Sequence, residues 1–113
     1  MISRSLSPVA VLVLASLAEA PRHAYALKKD VRARSNGDVA PGVTTLYRAV
    51  WQLLDDGLIE ESNERPAPHL DDQRRRYLRL TPSGRTALVA ERRRLERLAA
   101  AARPTRLAPK PGR

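Results

Sequence analysis

Apolar residues between Ser7 and Pro21 are so dense that they predict a short helix buried on more than one side. Ser7 is a typical N-cap, Pro8 suits the first helical position, and Pro21 ends the helix. With its basic start and Ala-Glu-Ala triplet, the stretch also imitates a secretory signal peptide. We favour the helix, because proline directly follows the supposed cleavage site and the apolar run is shorter than the about 20 residues of a membrane span.

Helical spacing of apolar residues predicts two further helices. The second helix covers residues 23–34, with Tyr25 among its expected core residues. The third runs from Thr45 to Asp56, opening at Val43 or Thr44. Its apolar stripe consists of Leu46, Val50, Leu53 and Leu54. Gly57 is placed to end this helix in the left-handed conformation.

The apolar pattern then changes from helical to alternating, which predicts a β-hairpin. The strands are Leu58–Glu61 and Arg74–Leu80, and the loop at residues 63–73 contains two prolines. Leu78 and Leu80 are expected on one face of the second strand. The other face would carry Arg75, Tyr77 and Arg79. A fourth helix is predicted over residues 83–102, after a Thr-Pro start signal and before Pro104.

This order of elements predicts a mainly α (α+β) fold, a winged helix-turn-helix with three helices, a β-hairpin wing and a C-terminal dimerisation helix. The connection between the second and third helices, residues 35–42, is longer than the three or four residues of a compact turn. We expect a DNA-binding domain over residues 1–82, a dimerisation helix over 83–102 and a disordered basic tail over 103–113.

Composition narrows the class of partner. The formal net charge of +9 favours a polyanion, which leaves DNA, RNA and an anionic membrane as candidates. The absence of Cys excludes disulfides and thiolate metal ligands. Only two His are present, and they are far apart in the sequence. We therefore expect no catalytic centre, no metal and no cofactor.

The third helix is the predicted recognition helix. Its polar face carries the candidate DNA-binding residues Thr44, Thr45, Tyr47, Arg48, Trp51 and Gln52. An arginine pairs with guanine edges or with phosphate, so Arg48 is a candidate for either contact. Trp51 has three interpretations: it lies near DNA, packs under the wing, or lines an effector pocket. The paired acids Asp55 and Asp56 are interpreted as surface residues rather than as a catalytic pair.

Arginines also cluster beside the predicted hairpin, where Arg74, Arg75 and Arg76 are consecutive. A charged run of this kind is either an ordinary solvated face or a set of contacts to the DNA backbone. We favour phosphate contacts, because the run lies in the wing.

The fourth helix has a narrow apolar stripe that resembles a coiled-coil seam. With residues from the first helix, the stripe predicts a dimer interface comprising Val11, Leu12, Leu88, Leu95 and Leu98. Two alternatives are packing of the stripe onto the chain's own body, and a basic amphipathic helix on a membrane surface. The membrane alternative is disfavoured because the stripe lacks Trp and Phe.

Three sequence motifs resemble those of the PadR-like transcriptional regulators, which are small bacterial winged-helix repressors. They are the helix end at residues 17–25, the stretch of residues 44–59, and the stretch of residues 75–85. Ala24 stands where the family usually has Gly, and Trp51 where a polar residue is usual. The loop at residues 65–69 resembles a lengthened wing.

The resemblance implies a homodimer that binds a two-fold operator in double-stranded DNA. It also implies repression that is relieved by a small aromatic or drug-like effector. We expect the protein in the cytoplasm, because the absence of Cys fits a reducing compartment. With a single helix after the wing, the chain is similar to the family's short subfamily. The alternative function is a winged-helix module that binds protein or RNA without reading a DNA sequence, since fold alone does not dictate function.

Overall fold

The computed structural model of the protein describes residues 6–63 and 76–106. Within them the chain forms four helices: α1 (Pro8–Glu19), α2 (Ala24–Arg34), α3 (Val43–Asp55) and α4 (Pro82–Ala102). Three short strands, β1 (Arg22–His23), β2 (Ile59–Ser62) and β3 (Tyr77–Leu80), form one antiparallel sheet in the order β1-β3-β2. The α+β winged-helix prediction is confirmed, and the helix boundaries lie within two residues of those expected.

Helix α1 is the centre of the core, because it packs against α2, α3, α4 and β3. Its start follows the predicted signal, since the Ser7 hydroxyl accepts a hydrogen bond from the Ala10 amide at 3.1 Å. Val13 and Leu14 are completely buried in the middle of the helix. The apolar run that imitates a signal peptide therefore supplies the centre of the folded domain.

The strand β1 is missing from the sequence prediction. It consists of only two residues, and it pairs Arg22 with Leu78 and His23 with Tyr77. His23 is also the N-cap of α2, where its Nδ1 accepts a hydrogen bond from the Ala26 amide at 3.2 Å. The link between α1 and α2 is therefore attached to the sheet, and the wing rests on the body of the domain.

The burial of two tyrosines depends on their neighbours in the fold. Tyr25 is 61% exposed, so its assignment to the core was wrong, whereas Leu27 and Val31 are buried as expected. Tyr77, expected on the same face of β3 as Arg79, is only 8% exposed and packs edge-on against His23 at a centroid distance of 5.3 Å. Strand β1 pairs beside β3 and brings His23 next to Tyr77, which accounts for this contact.

The hairpin and its connections are largely as expected. Gly57 has a φ of 74°, the left-handed conformation that the C-terminus of α3 requires. Strand β2 begins one residue later than predicted, and β3 begins at Tyr77, after Arg76. The expected hairpin loop and the end of the basic tail lie outside the described residues.

Helix α4 carries a buried acid, Glu91. Glu91 is 7% exposed, and its carboxylate accepts a hydrogen bond from Arg94 Nε at 3.0 Å. The Arg94 guanidinium holds the pKa of Glu91 below its usual range against the opposing effect of burial, and the Leu6 backbone adds a weaker contribution. The ionised carboxylate is therefore the form that stabilises the fold.

Substitution Glu91→Gln is expected to lower stability at neutral pH. Because the folded pKa is depressed, the contribution of Glu91 is fully present above the ordinary glutamate pKa of about 4.3 and is lost as the pH falls through the folded value. Urea unfolding of both proteins at pH 7 and at decreasing pH measures this. The difference between the urea midpoints of the two proteins should be largest at pH 7 and should disappear at acidic pH. A difference that does not depend on pH would contradict the role of the charge.

Candidate nucleic-acid interface

A buried stripe holds α3 on the domain and leaves its polar face outside. Leu46, Val50 and Leu53 are 1–3% exposed, at the spacing of one helix face. All six candidate DNA-binding residues of α3 are exposed to solvent. The structure therefore places them together on one accessible surface.

The N-terminal half of α3 is chemically suited to a polyanion. Its N-cap is Gly42, which supplies no side-chain hydrogen bond, and the first turn has no acidic residue. The first amide groups of a helix have no partner within the helix and carry a partial positive charge. Thr44, Thr45 and Arg48 add hydroxyl and guanidinium donors beside these amides. This end of α3 is a ready surface for phosphates and base edges.

The C-terminal half of α3 is different. Asp55 and Asp56 are exposed there, and the Gln52 side-chain amide donates a hydrogen bond to Asp56 Oδ1 at 3.1 Å. The two carboxylates would repel phosphate, and Gln52 has to leave Asp56 before it can pair with an adenine. The helix thus presents a polar and cationic end next to an acidic one.

The two aromatic residues of the predicted face lie together on one flank of α3. Tyr47 and Trp51 have their ring centroids 5.9 Å apart, at an angle of 41°. Both rings line a groove between α3, the start of α2 and the sheet. Of the three interpretations of Trp51, its position therefore favours the lining of a pocket beside the polar face of α3.

Acidic residues neutralise part of the wing. Arg79 Nε donates to Glu60 Oε2 at 2.8 Å, and these residues face each other across β2 and β3. Arg76 lies 3.7 Å from Glu61, with its side chain 80% exposed. Arg74 and Arg75 lie outside the described residues. Among the wing arginines that are described, Arg76 is the better placed for phosphate, because its pairing is loose and exposed.

A basic surface on α2 was not among the predicted DNA contacts. Lys29 and Arg32 border an open hollow of about 520 Å³ beside the turn at Asn36 and Gly37. In a helix-turn-helix the first of the two helices crosses the DNA backbone, where Lys and Arg side chains can contact phosphates. The sequence feature that could have predicted this surface is the helical spacing of the basic residues in α2.

The predicted dimerisation residues fall into two groups. Leu88 is 7% exposed and belongs to the chain's own core. This burial agrees with the alternative prediction that the apolar stripe of α4 packs onto the rest of the same chain. Leu95 and Leu98 are 39% and 56% exposed on the outer part of α4. Val11 and Leu12 are half-buried on α1. An unpaired apolar surface therefore remains on α4.

Residues 6–63 and 76–106 contain neither a cluster of metal ligands nor a membrane-spanning helix. No group of three or more His, Asp or Glu residues there is arranged to hold a metal ion. No helix in that part of the chain is long and apolar enough to cross a membrane.

Comparison with known protein families gives a match over most of the chain. The model of the transcriptional regulator PadR-like family matches residues 13–90, which is most of the chain. No curated protein matches the sequence.

Solved structures show the same fold. A transcriptional regulator from Clostridium thermocellum is 24% identical, with a TM-score of 0.69 and coverage of 89% of this chain and 94% of that chain. A PadR family transcription regulator from Clostridium difficile is 16% identical, with a TM-score of 0.68 and coverage of 84% and 94%. A probable transcriptional regulator from Pseudomonas aeruginosa is 28% identical, with a TM-score of 0.64 and coverage of 92% and 71%.

These findings agree with the resemblance carried by the three sequence motifs and with the exposed polar face of α3. The family consists of DNA-binding transcriptional regulators and not of enzymes. The chain belongs to the PadR-like family of transcriptional regulators.

Proposed function

We propose that this protein is a homodimeric, sequence-specific repressor of transcription that acts in the cytoplasm and is released from its operator by a small aromatic effector. The observation that carries the proposal is the N-terminal half of α3, where Thr44, Thr45 and Arg48 stand exposed around a helix start without a side-chain cap. The net charge of +9 supplies the long-range attraction to DNA.

In this proposal α3 enters the major groove from its N-terminal end. Arg48 reads a guanine edge, and Thr44 and Thr45 contact the adjacent phosphates. Lys29 and Arg32 of α2 meet the backbone on one side, and the wing meets it on the other. The acidic C-terminal end of α3 points away from the duplex, because Asp55 and Asp56 would otherwise face phosphates.

Dimerisation would occur through α4 and α1. The outer part of α4 presents Leu95 and Leu98 to solvent, and α1 packs against the inner part of α4. A two-fold pairing of these surfaces buries both leucines and places two copies of α3 on one face of the dimer. Recognition helices of such dimers bind half-sites about one DNA turn, roughly 34 Å, apart, which gives a two-fold operator.

Substitution Arg48→Ala is expected to reduce operator affinity by about 5- to 150-fold, corresponding to about 1–3 kcal/mol for the loss of a base contact. Fluorescence anisotropy measures this, with the duplex upstream of the protein's own gene and a shuffled duplex of the same composition. Arg103→Ala removes the same charge from an exposed position at the end of α4 and serves as the matched control.

The titrations are run at two salt concentrations. We expect the unmodified protein to keep its preference for the native duplex at higher salt, because base contacts depend on salt less than phosphate contacts do. An equal loss on both duplexes would make Arg48 a phosphate contact instead. Equal binding of the two duplexes by the unmodified protein, fading together with salt, would overturn the proposed sequence-specific function.

A further inference from the structure

Aromatic residues of the chain are concentrated in one groove. The sequence has one Trp, three Tyr and no Phe. Trp51 and Tyr47 on α3 and Tyr25 on α2 all line this groove, with His23 beside them. The exposed fractions of the three larger residues are 64%, 39% and 61%. Exposed rings gathered in one concave place are typical of a binding site rather than of an ordinary solvated surface.

The groove has the size and floor of a small-molecule site. Its volume is about 450 Å³, within the roughly 300–1,000 Å³ of ligand pockets. Apolar side chains of α3 and β3 form its floor, namely Val50, Leu54 and Leu78. Flat rings of a ligand would exchange water for contacts with these side chains and stack against Tyr47 and Trp51.

One side of the groove carries a polar pair. Glu61 and Arg76 both line it, with the guanidinium 3.7 Å from the carboxylate, and both side chains are mostly exposed. The pair therefore presents an acceptor directly beside a donor. A planar ligand whose edge has a donor next to an acceptor would satisfy both groups at once.

We propose that this aromatic groove binds a planar heteroaromatic small molecule of two or three fused rings with adjacent hydrogen-bond donor and acceptor groups on one edge. The site lies within one protomer and needs no residue of a second copy. Because Tyr47 and Trp51 belong to α3, a bound ligand occupies space beside the recognition surface and competes with DNA. Only this competition rests on the proposed function.

Lumichrome, a tricyclic molecule with an imide edge, is a suitable probe. Trp51 is the only Trp of the chain, so its fluorescence reports directly on the groove. We expect saturable quenching with a dissociation constant on the order of 10–100 µM, which is ordinary for a ligand of this size. 1,3-Dimethyllumichrome lacks the N–H donors and should bind at least tenfold more weakly. Absence of saturable quenching, or equal binding of the two probes, would overturn the proposal.

Substitutions locate the ligand. Tyr25→Ala should weaken lumichrome binding at least tenfold, and the exposure of this side chain means that the variant should still fold. Leu98→Ala tests the competing location at the dimer seam and should leave quenching unchanged. The reverse pattern, with binding lost in the Leu98 variant and retained in the Tyr25 variant, would place the ligand elsewhere and contradict the groove.

The last measurement is operator binding in the presence of lumichrome. Lumichrome at ten times its dissociation constant should reduce the operator affinity of the unmodified protein about tenfold and that of Tyr25→Ala no more than about twofold, which excludes an effect of the probe on the DNA itself. Quenching without any operator preference would refute the proposed repressor and support the groove. Operator preference without quenching would refute the groove and support the repressor.

Discussion

Substitution Leu95→Asp should yield monomers and reduce operator affinity by more than 100-fold. Leu95 is 39% exposed on a part of α4 that otherwise carries mainly Arg, Glu and Ala. In a two-fold dimer the change occurs twice, and each copy would bury a carboxylate against apolar side chains without a counter-charge. Loss of the second half-site removes an avidity gain on the order of 10²–10⁴-fold.

Sedimentation equilibrium gives the mass, and anisotropy on the operator gives the affinity. Ala90→Asp is the matched control, because it adds the same charge at an exposed position of α4 that points away from Leu95. This control should remain dimeric. An unchanged mass for Leu95→Asp would show that the exposed leucines of α4 do not form the dimer interface.

The parts of the fold that the sequence predicted well have local causes. Helix α1 begins where Ser7 and Pro8 indicate, and α4 begins after Thr81 for the same reason. The stripe of α3 is buried because its spacing repeats on one helix face. Such signals lie within a few residues of the element they define, so no tertiary information is needed to use them.

The errors have tertiary causes, with one exception. Strand β1 has only two residues, too few to show a period, and its partner β3 lies far along the chain. The same pairing places His23 against Tyr77, a contact that the alternating pattern of β3 does not indicate. Tyr25 is the exception: its spacing of two residues from Leu27 places it on the other side of a helix, so its exposure could have been predicted.

The candidate site shows the same division. Exposure of the α3 polar face follows from the sequence, since it is the complement of the buried stripe. The aromatic groove does not, because Tyr25, Trp51 and Arg76 come from segments that only the folded chain brings together. The wing could be predicted only in part. Its arginines are evident in the sequence, but the cross-strand pair of Glu60 and Arg79 depends on the register of β2 and β3.

Substitution Gly84→Ala should destabilise the protein by about 3 kcal/mol or more, at or above the upper end of the usual cost of overpacking. A methyl group at this position would lie 1.9 Å from the Leu58 carbonyl oxygen and 2.7 Å from Leu80 Cδ1. The first of these contacts is with backbone, so the start of α4 has to move away from the chain before β2. The better helix propensity of alanine, about 1 kcal/mol, does not offset this displacement.

Urea unfolding measures the effect, and Gly42→Ala is the matched control. A methyl group at Gly42 meets no atom within 4 Å, so the control loses only the difference in N-cap preference between glycine and alanine, about 1 kcal/mol or less. Thr81 links the same region through its hydroxyl to the Gly57 carbonyl at 2.7 Å and through its amide to the Leu58 carbonyl at 3.1 Å. Displacing α4 therefore strains its junction with α3 and the wing. If both glycine variants unfold at the same urea concentration, the close contact at Leu58 does not limit stability, and the position of α4 relative to the wing is adjustable.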